Sequence, residues 1–202
     1  CTQDFCERLS KLKKLCPQFH LSMQSGCDTV LKRMNRKYDT KAYEEGCRLL
    51  RSYFDHPAIT TDVIVGFPQE TEEEFSVTKD FVQKIGFYEM HVFKYSKRKG
   101  TKAAEMEDQL TEGEKEKRST ELISLGKEMG KDYRSLWQGK KVSVLFEEQI
   151  QIQGKTYWTG FTREYVRAAT PPEEDLTNRI GEGRITGFLT EDIMCFESFT
   201  FR

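Results

Sequence analysis

The side chains best suited to chemistry in this chain are polar residues that recur inside three short apolar runs. His20 and Gln24 fall in the first run (Gln18 to Ser25), Asp62 in the second (Ile59 to Phe67), and Glu89 and His91 in the third (Phe87 to Tyr95). Successive side chains of a strand point to opposite faces. Parity therefore sets His20, Ser22 and Gln24 against Phe19, Leu21 and Met23, and Thr60, Asp62, Ile64 and Gly66 against Thr61, Val63, Val65 and Phe67. In the third run Glu89, His91, Phe93 and Tyr95 oppose Tyr88, Met90, Val92 and Lys94. If one face meets helices, His20, Gln24, Asp62, Glu89 and His91 collect on the other, inside a barrel. A buried polar group without a partner costs about 1–3 kcal/mol. Such a set calls either for a ligand or for a self-paired network completed by water. No Ser/His/Asp arrangement, phosphate-binding glycine loop or HExxH is present, so no catalytic residue is assigned and the chemistry is expected from a cofactor.

The loops that follow the three runs carry Ser25-Gly26, Gly66-Phe67-Pro68 and Ser96 to Thr101. That is the end at which β/α barrels place their sites. Gly66 leaves room for a ligand to approach the backbone, although a tight turn accounts for it equally well. Phe93 and Tyr95 offer apolar faces to a flat ring. Six cysteines (Cys1, Cys6, Cys16, Cys27, Cys47, Cys195) show no metal-ligand spacing and read as reduced, structural thiols.

Positioning these residues requires alternating strands and helices. Each apolar run is followed by a helical pattern, as expected of β/α units on a parallel sheet. A first helix is expected over Asp4 to Leu15, with Phe5, Leu9, Leu12 and Leu15 on one face. A helical turn follows from Asp28, and a helix from Thr40 carries Tyr43, Cys47, Leu50 and Phe54 and stops before Pro57. Thr71 to Glu74 forms a capping box before a helix that faces the sheet with Phe75, Thr78, Val82 and Ile85. A second box at Thr111 to Glu114 opens a helix with Leu122, Leu125, Met129, Tyr133 and Leu136 in a stripe, ending at Gly139. Beyond Gly139 five short strands are expected: Lys141 to Glu147, Tyr157 to Phe161, Glu164 to Ala169, Gly183 to Leu189, and Ile193 to Phe199. This is the rhythm of a small OB-like barrel. The fold class is thus α/β, with part of a β/α (TIM-type) barrel over 1–138 and a small all-β barrel over 139–202.

The chain has 202 residues with 37% hydrophobic and 12% aromatic content, enough for one sizeable core or a medium core plus a small one. With 32 basic and 33 acidic residues, the net charge of -1 gives no global attraction to nucleic acid, and any basic surface is local. The stretches Arg33 to Lys37 and Lys94 to Lys102 are basic. No membrane-length apolar run or export leader is visible, so a cytoplasmic location is expected. The chain opens at Cys1 inside a helical pattern, which points to a piece of a larger enzyme.

Four motifs, in order and spacing, resemble the radical S-adenosylmethionine methylthiotransferases. They are His20-Leu21-Ser22-Met23-Gln24-Ser25-Gly26, Leu31-Lys32-Arg33-Met34-Asn35-Arg36-Lys37-Tyr38, Thr61 to Pro68 with Glu70-Thr71-Glu72, and Val92 to Thr101. The second barrel resembles the TRAM domain of that family. Ser22 and the Lys32 to Arg36 run most resemble the branch acting on threonylcarbamoyl-adenosine beside the tRNA anticodon. The resemblance implies addition of a methylthio group at carbon 2 of adenine. It also implies S-adenosylmethionine and two 4Fe-4S clusters in the full-length enzyme, with cluster ligands outside this chain. One cluster would cleave S-adenosylmethionine to a hydrogen-abstracting radical, and the other would deliver the methylthio group. This chain by itself is then expected to be inactive and to hold no cluster.

By the same resemblance Gln24, Ser25, Arg36, Asp62, Gly66, Phe67, Phe93 and Tyr95 are the cofactor-binding candidates, with Arg36 facing the cofactor's carboxylate. Arg98 and Thr101 lie on a loop that faces RNA. In the second barrel Lys155, Tyr157, Trp158, Arg163, Tyr165 and Arg167 interleave aromatics with cations, the composition used to stack bases and neutralise phosphate. Parity allows only one of Tyr157 and Trp158 to lie on the surface. The expected partners are the tRNA anticodon stem-loop and the rest of the polypeptide. Gln69 departs from the family's Pro-Gly-Glu-Thr, and a positive φ there would cost about 1 kcal/mol. Other readings are a methylthiotransferase for isopentenyl-adenosine tRNA or for a ribosomal-protein aspartate, and a non-catalytic RNA-binding protein.

Overall fold

The computed structural model describes residues 1–201. The chain divides into two compact units, one formed by residues 1–12 and 19–130, the other by 13–18 and 131–202. The division thus falls after Gly130, inside a helix, rather than at Gly139. No helix among the described residues is long and apolar enough to cross a membrane.

The first unit is a mixed α/β fold on a three-stranded parallel sheet in the order β1 (Gln18–His20), β2 (Ala58–Val65), β3 (Glu89–Lys94). Pairing of the first segment with β2 continues past β1 through the Leu21 N–H to Thr60 O bond and the Gln24–Val63 bridge. Helices α3 (Thr40–Tyr53), α4 (Glu72–Ile85) and α6 (Glu112–Ser135) cover one face. Their Tyr43, Cys47, Leu50, Phe75, Val82, Ile85, Leu122 and Met129 form one core with Met23, Ile59, Val63 and Val65. In β2 the expected alternation shows at residues 62–65, where Val63 and Val65 are buried and Asp62 and Ile64 are not, while Ala58, Ile59, Thr60 and Thr61 are all buried. Both capping boxes are present, Glu74 N–H donating to Thr71 Oγ1 at 3.2 Å and Glu114 N–H to Thr111 Oγ1 at 3.2 Å.

Helix α1 (Gln3–Ser10) is shorter than expected, and its buried residue is Cys6, while Phe5 and Leu12 are exposed. The helix closes at Lys11, whose N–H turns to Arg8 O and Leu9 O. Two short helices position loops at the site: α2 (Asp28–Arg33) and α5 (Lys102–Glu105), the latter directly after the loop from Ser96 to Thr101.

The second unit is a closed five-stranded barrel in the order β4-β5-β6-β8-β7, with β4 (Lys141–Ile152), β5 (Lys155–Thr162), β6 (Arg167–Thr170), β7 (Ile180–Phe188) and β8 (Met194–Phe201). Val144, Phe146, Trp158, Val166, Ile185, Met194 and Phe196 fill it. Strands β4 and β5 run longer than expected because Gln153 (φ 50) and Gly154 (φ 77) close a two-residue hairpin between the paired Ile152 and Lys155. Strand β6 starts at Arg167 rather than Glu164 because Tyr165 (φ 64) sits in a turn closed by Thr162 N–H to Val166 O.

Candidate functional site

At the carboxyl ends of the three parallel strands lies an open cleft of about 570 Å³. Gln24, Asp62, Phe67, Phe93, Tyr95, Arg36, Arg98 and Thr101 all line it, together with Met34, Ile64, Lys94, Ser96 and Ala103. Eight of the candidates expected in the first unit therefore meet in one place, although they come from four separate segments. Gln24 reaches it through a left-handed backbone (φ 70) that ends the first strand segment. Arg36 follows the end of α2, where Asn35 (φ 58) turns the chain and Arg36 N–H donates to Leu31 O at 2.9 Å.

The cleft wall is aromatic. Phe67 is buried and meets Tyr95 edge-on at 5.3 Å between centroids. Phe93 is 53% exposed, so a flat face is left open. The Tyr95 hydroxyl is buried and has no hydrogen-bond partner among the described residues. An open aromatic face beside the Arg36 guanidinium fits a ligand with a flat ring and a carboxylate.

Two candidates have other duties. Ser25 is fully buried, its hydroxyl 3.2 Å from Thr78 Oγ1 and accepting from Cys27 N–H, so it braces the first loop and does not face the cleft. At Gly66 (φ 69) the space a side chain would take is filled by Lys115, whose Cγ lies 2.4 Å from an ideal Cβ position. Its N–H donates to Glu70 Oε2 at 2.7 Å. Of the two reasons expected for this glycine, the tight turn is the one its φ shows, and helix packing adds another; Gly66 does not line the cleft. Glu70 in turn accepts from Arg118 Nη1 at 2.7 Å, and both side chains are nearly inaccessible. Burial pushes the Glu70 carboxyl up from the usual carboxylate range, against the opposing pull of Gly66 N–H and Arg118. The sequence carried no signal for this lock, because Lys115 and Arg118 sit among charged residues that read as a solvated helix face.

The polar row is not enclosed. On the sheet face opposite the helices, His20 Nε2 lies 3.2 Å from Asp62 Oδ2 and 3.1 Å from Ser22 Oγ, and His20 Nδ1 lies 3.0 Å from Thr60 Oγ1. Glu89 and His91 are exposed, and the side chains of His20 and Asp62 are 40% and 28% exposed. A three-stranded sheet has no opposite wall to bury them, so the expected interior is an open face here. No group of three or more His, Cys, Asp or Glu residues able to hold a metal ion occurs among the described residues, and the six cysteines are all free.

In the barrel, Trp158 is a correction: it is 6% exposed, packs in the core, and its Nε1–H donates to Glu174 O at 2.8 Å. Parity had left either Trp158 or Tyr157 outside, and the core took the larger ring. The depression beside Trp158 is lined by Glu147, Glu148, Glu174 and Asp175, a poor surface for phosphate. Arg163 donates to the carbonyls of Lys13 and Leu15, and Arg167 pairs with Glu148 at 2.8 Å, so neither guanidinium is free. Tyr165 is half exposed and stacks against Phe161 at 5.5 Å, and Lys155 is exposed at the hairpin.

Residues 2–82 match the model of the Radical SAM superfamily. The chain is 38% identical to the threonylcarbamoyladenosine tRNA methylthiotransferase MtaB of Bacillus subtilis, over 91% of this chain and 41% of that protein. It is 39% identical to the protein of the same description from Thermotoga maritima, over 84% of this chain and 37% of that one. It is also 37% identical to a tRNA-2-methylthio-N(6)-dimethylallyladenosine synthase of Symbiobacterium thermophilum, over 92% and 39%. The chain thus spans about two fifths of the length of the curated relatives it matches. Among solved structures the coproporphyrinogen III oxidase HemN of Escherichia coli, a radical SAM enzyme, is similar in fold. Its TM-score is 0.54 at 13% identity, covering 91% of this chain and 44% of that one.

Proposed function

Because this chain is a relative of the radical S-adenosylmethionine tRNA methylthiotransferases, we propose that it is the cofactor-seating and RNA-presenting portion of such an enzyme. The whole protein would add a methylthio group to carbon 2 of threonylcarbamoyl-adenosine next to the anticodon, in the cytoplasm. The observation that carries the reading is the cleft, in which Gln24, Arg36, Asp62, Phe93 and Tyr95 meet at the strand ends of a chain 38% identical to an enzyme of that description.

S-adenosylmethionine bound there supplies both the methyl group and the radical chemistry that the family name denotes, with clusters held by the rest of the polypeptide. The residues of this chain bind and orient it. Arg36 suits the carboxylate by its paired donors. Phe93 stacks on the adenine, beside the Tyr95 ring. Asp62 meets His20 and Ser22 with the same oxygen, Oδ2, which leaves Oδ1 for the ribose hydroxyls. In this reading the sheet belongs to a larger β/α barrel whose missing wall would enclose His20, Asp62, Glu89 and His91. The small barrel would be a TRAM-like module, and the chain alone would be inactive.

The test is mass spectrometry of tRNA nucleosides from a strain deleted for the gene that encodes this chain. Loss of 2-methylthio-threonylcarbamoyladenosine supports the proposal, and unchanged methylthio-adenosines overturn it. Loss of the dimethylallyl form instead favours the second reading, which the 37% identity to such a synthase supports.

A further inference from the structure

Asp62 is the only carboxylate among the residues that line the strand-end cleft, and it stands there with three cations, Arg36, Lys94 and Arg98. Its side chain is 28% exposed, so enclosure does not fix it. An aspartate in that position has several staggered rotamers open to it, and only some aim an oxygen into the cleft. What selects one lies on the neighbouring strand.

The first strand segment is tied to β2 on both sides of this residue: Leu21 N–H donates to Thr60 O at 2.9 Å, and Gln24 N–H to Asp62 O at 2.8 Å. That brings the His20 ring beside the carboxylate, with Nε2 3.2 Å from Asp62 Oδ2. The other ring nitrogen, Nδ1, lies 3.0 Å from Oγ1 of the buried Thr60. A carboxylate oxygen only accepts, so Nε2 carries a hydrogen, and in the neutral ring Nδ1 accepts from the Thr60 hydroxyl. The ring is thus held at both nitrogens. Ser22 Oγ–H donates to the same Oδ2 at 3.3 Å.

Ser22, His20 and Asp62 meet, but not as a nucleophile relay. Such a relay needs the serine and the acid on opposite ring nitrogens, whereas here both contact Nε2. His91, the register partner of Asp62 on β3, is exposed and makes no hydrogen bond among the described residues. The histidine that acts on Asp62 is therefore His20.

We infer that His20 is a positioning residue for the cleft: by holding Oδ2 it fixes the Asp62 carboxylate with Oδ1 turned to the hydroxyls of a bound ribonucleoside. The inference rests on the cofactor reading above, which gives Oδ1 to the ribose, and adds the group that aims it. His20 lies outside the cleft lining and acts only through Asp62.

The test reads aim and binding separately, on the whole chain. Hα–Hβ couplings of Asp62, measured by NMR without ligand, should report one χ1 rotamer in the parent and in His91→Ala. They should average in His20→Ala and in His20→Phe, which keeps a ring but loses the donor, and return to one rotamer in His20→Gln, whose amide N–H replaces Nε2–H. Calorimetry with adenosine should show about tenfold weaker binding for His20→Ala and His20→Phe, as expected of one misdirected hydrogen bond to a charged group, with recovery in His20→Gln. Affinity for 2′,3′-dideoxyadenosine, which lacks the hydroxyls, should be the same throughout. Unaveraged couplings in His20→Ala and His20→Phe overturn the inference, as does averaging with undiminished adenosine affinity. An equal loss for both nucleosides also overturns it, because that marks a general disturbance of the sheet. A parent chain that binds neither nucleoside, with the coupling pattern intact, would count against the cofactor reading and leave the alignment of Asp62 by His20 standing.

Discussion

Lys115 occupies the space that a side chain on Gly66 would need, its Cγ 2.4 Å from the ideal Cβ position. The glycine that ends β2 is therefore required by α6 as well as by its own left-handed backbone. Gly66→Ala should destabilise the α/β unit by about 2–3 kcal/mol, about 1 of it from φ. Adding Lys115→Ala should recover the steric part and leave the backbone part. Urea midpoints of the three variants separate the two causes, and an unshifted midpoint for Gly66→Ala would contradict the packing.

Arg118 and Glu70 form an enclosed pair that also satisfies Gly66 N–H. Arg118→Met removes one partner and leaves a carboxylate with no water to turn to, so a loss of about 3–5 kcal/mol is expected. The loss should shrink as pH falls, because protonated Glu70 no longer needs the arginine. Denaturation at two pH values checks this, and a pH-independent loss would argue against the pair.

Gln69 has φ 66 and an exposed side chain, and its recorded contacts run through the backbone to Asp108 O and from Arg33. Gln69→Gly should raise stability by up to about 0.5 kcal/mol, the left-handed penalty less the extra freedom of glycine when unfolded. A lower melting temperature would show that the side chain does more than the structure indicates.

Glu74 joins α4 to α2: the Arg33 guanidinium holds its carboxyl at about 2, with Thr29 and the Thr71 N–H also lowering it. A carboxyl whose folded value lies below its unfolded one stabilises fully above the unfolded value, near 4.5, and the stability is lost as pH falls from there toward 2. With solvent screening allowed for, about 1–2 kcal/mol should disappear across that window. Glu74→Gln should flatten this part of the acid-unfolding curve, and parallel curves for the two proteins would exclude Glu74 as the cause.

In the barrel, Trp158→Phe keeps the ring in the core and removes the bond to Glu174 O. A cost of about 1 kcal/mol to the barrel's unfolding is expected, with RNA affinity unchanged. A fall in affinity without a fall in stability would restore Trp158 as a surface contact.

Local rules made much of the fold legible. Thr71 and Glu74 announce a helix start by their spacing alone, and the residues expected to face the sheet from α4, namely Phe75, Thr78, Val82 and Ile85, are those that are buried. The alternation of β2 is equally local. The periodicity at Leu12 and Leu15 extends past the end of α1, because apolar spacing carries no stop signal and the helix closes at Lys11. The hairpin at Gln153-Gly154 is not distinctive in sequence, because its glycine is one of several in this stretch.

The sequence by itself determined the strands, their helix-facing residues, the capped helix starts and the residue types gathered at the strand ends, since these depend on neighbours within a turn or a pleat. Tertiary structure alone decided which expected site residues face a ligand and which are bracing. Ser25 turns to Thr78, Gly66 yields its space to Lys115, and Trp158 is drawn into the core. Those outcomes depend on side chains tens of residues away competing for the same volume and the same hydrogen bonds, and strand parity carries no record of that competition.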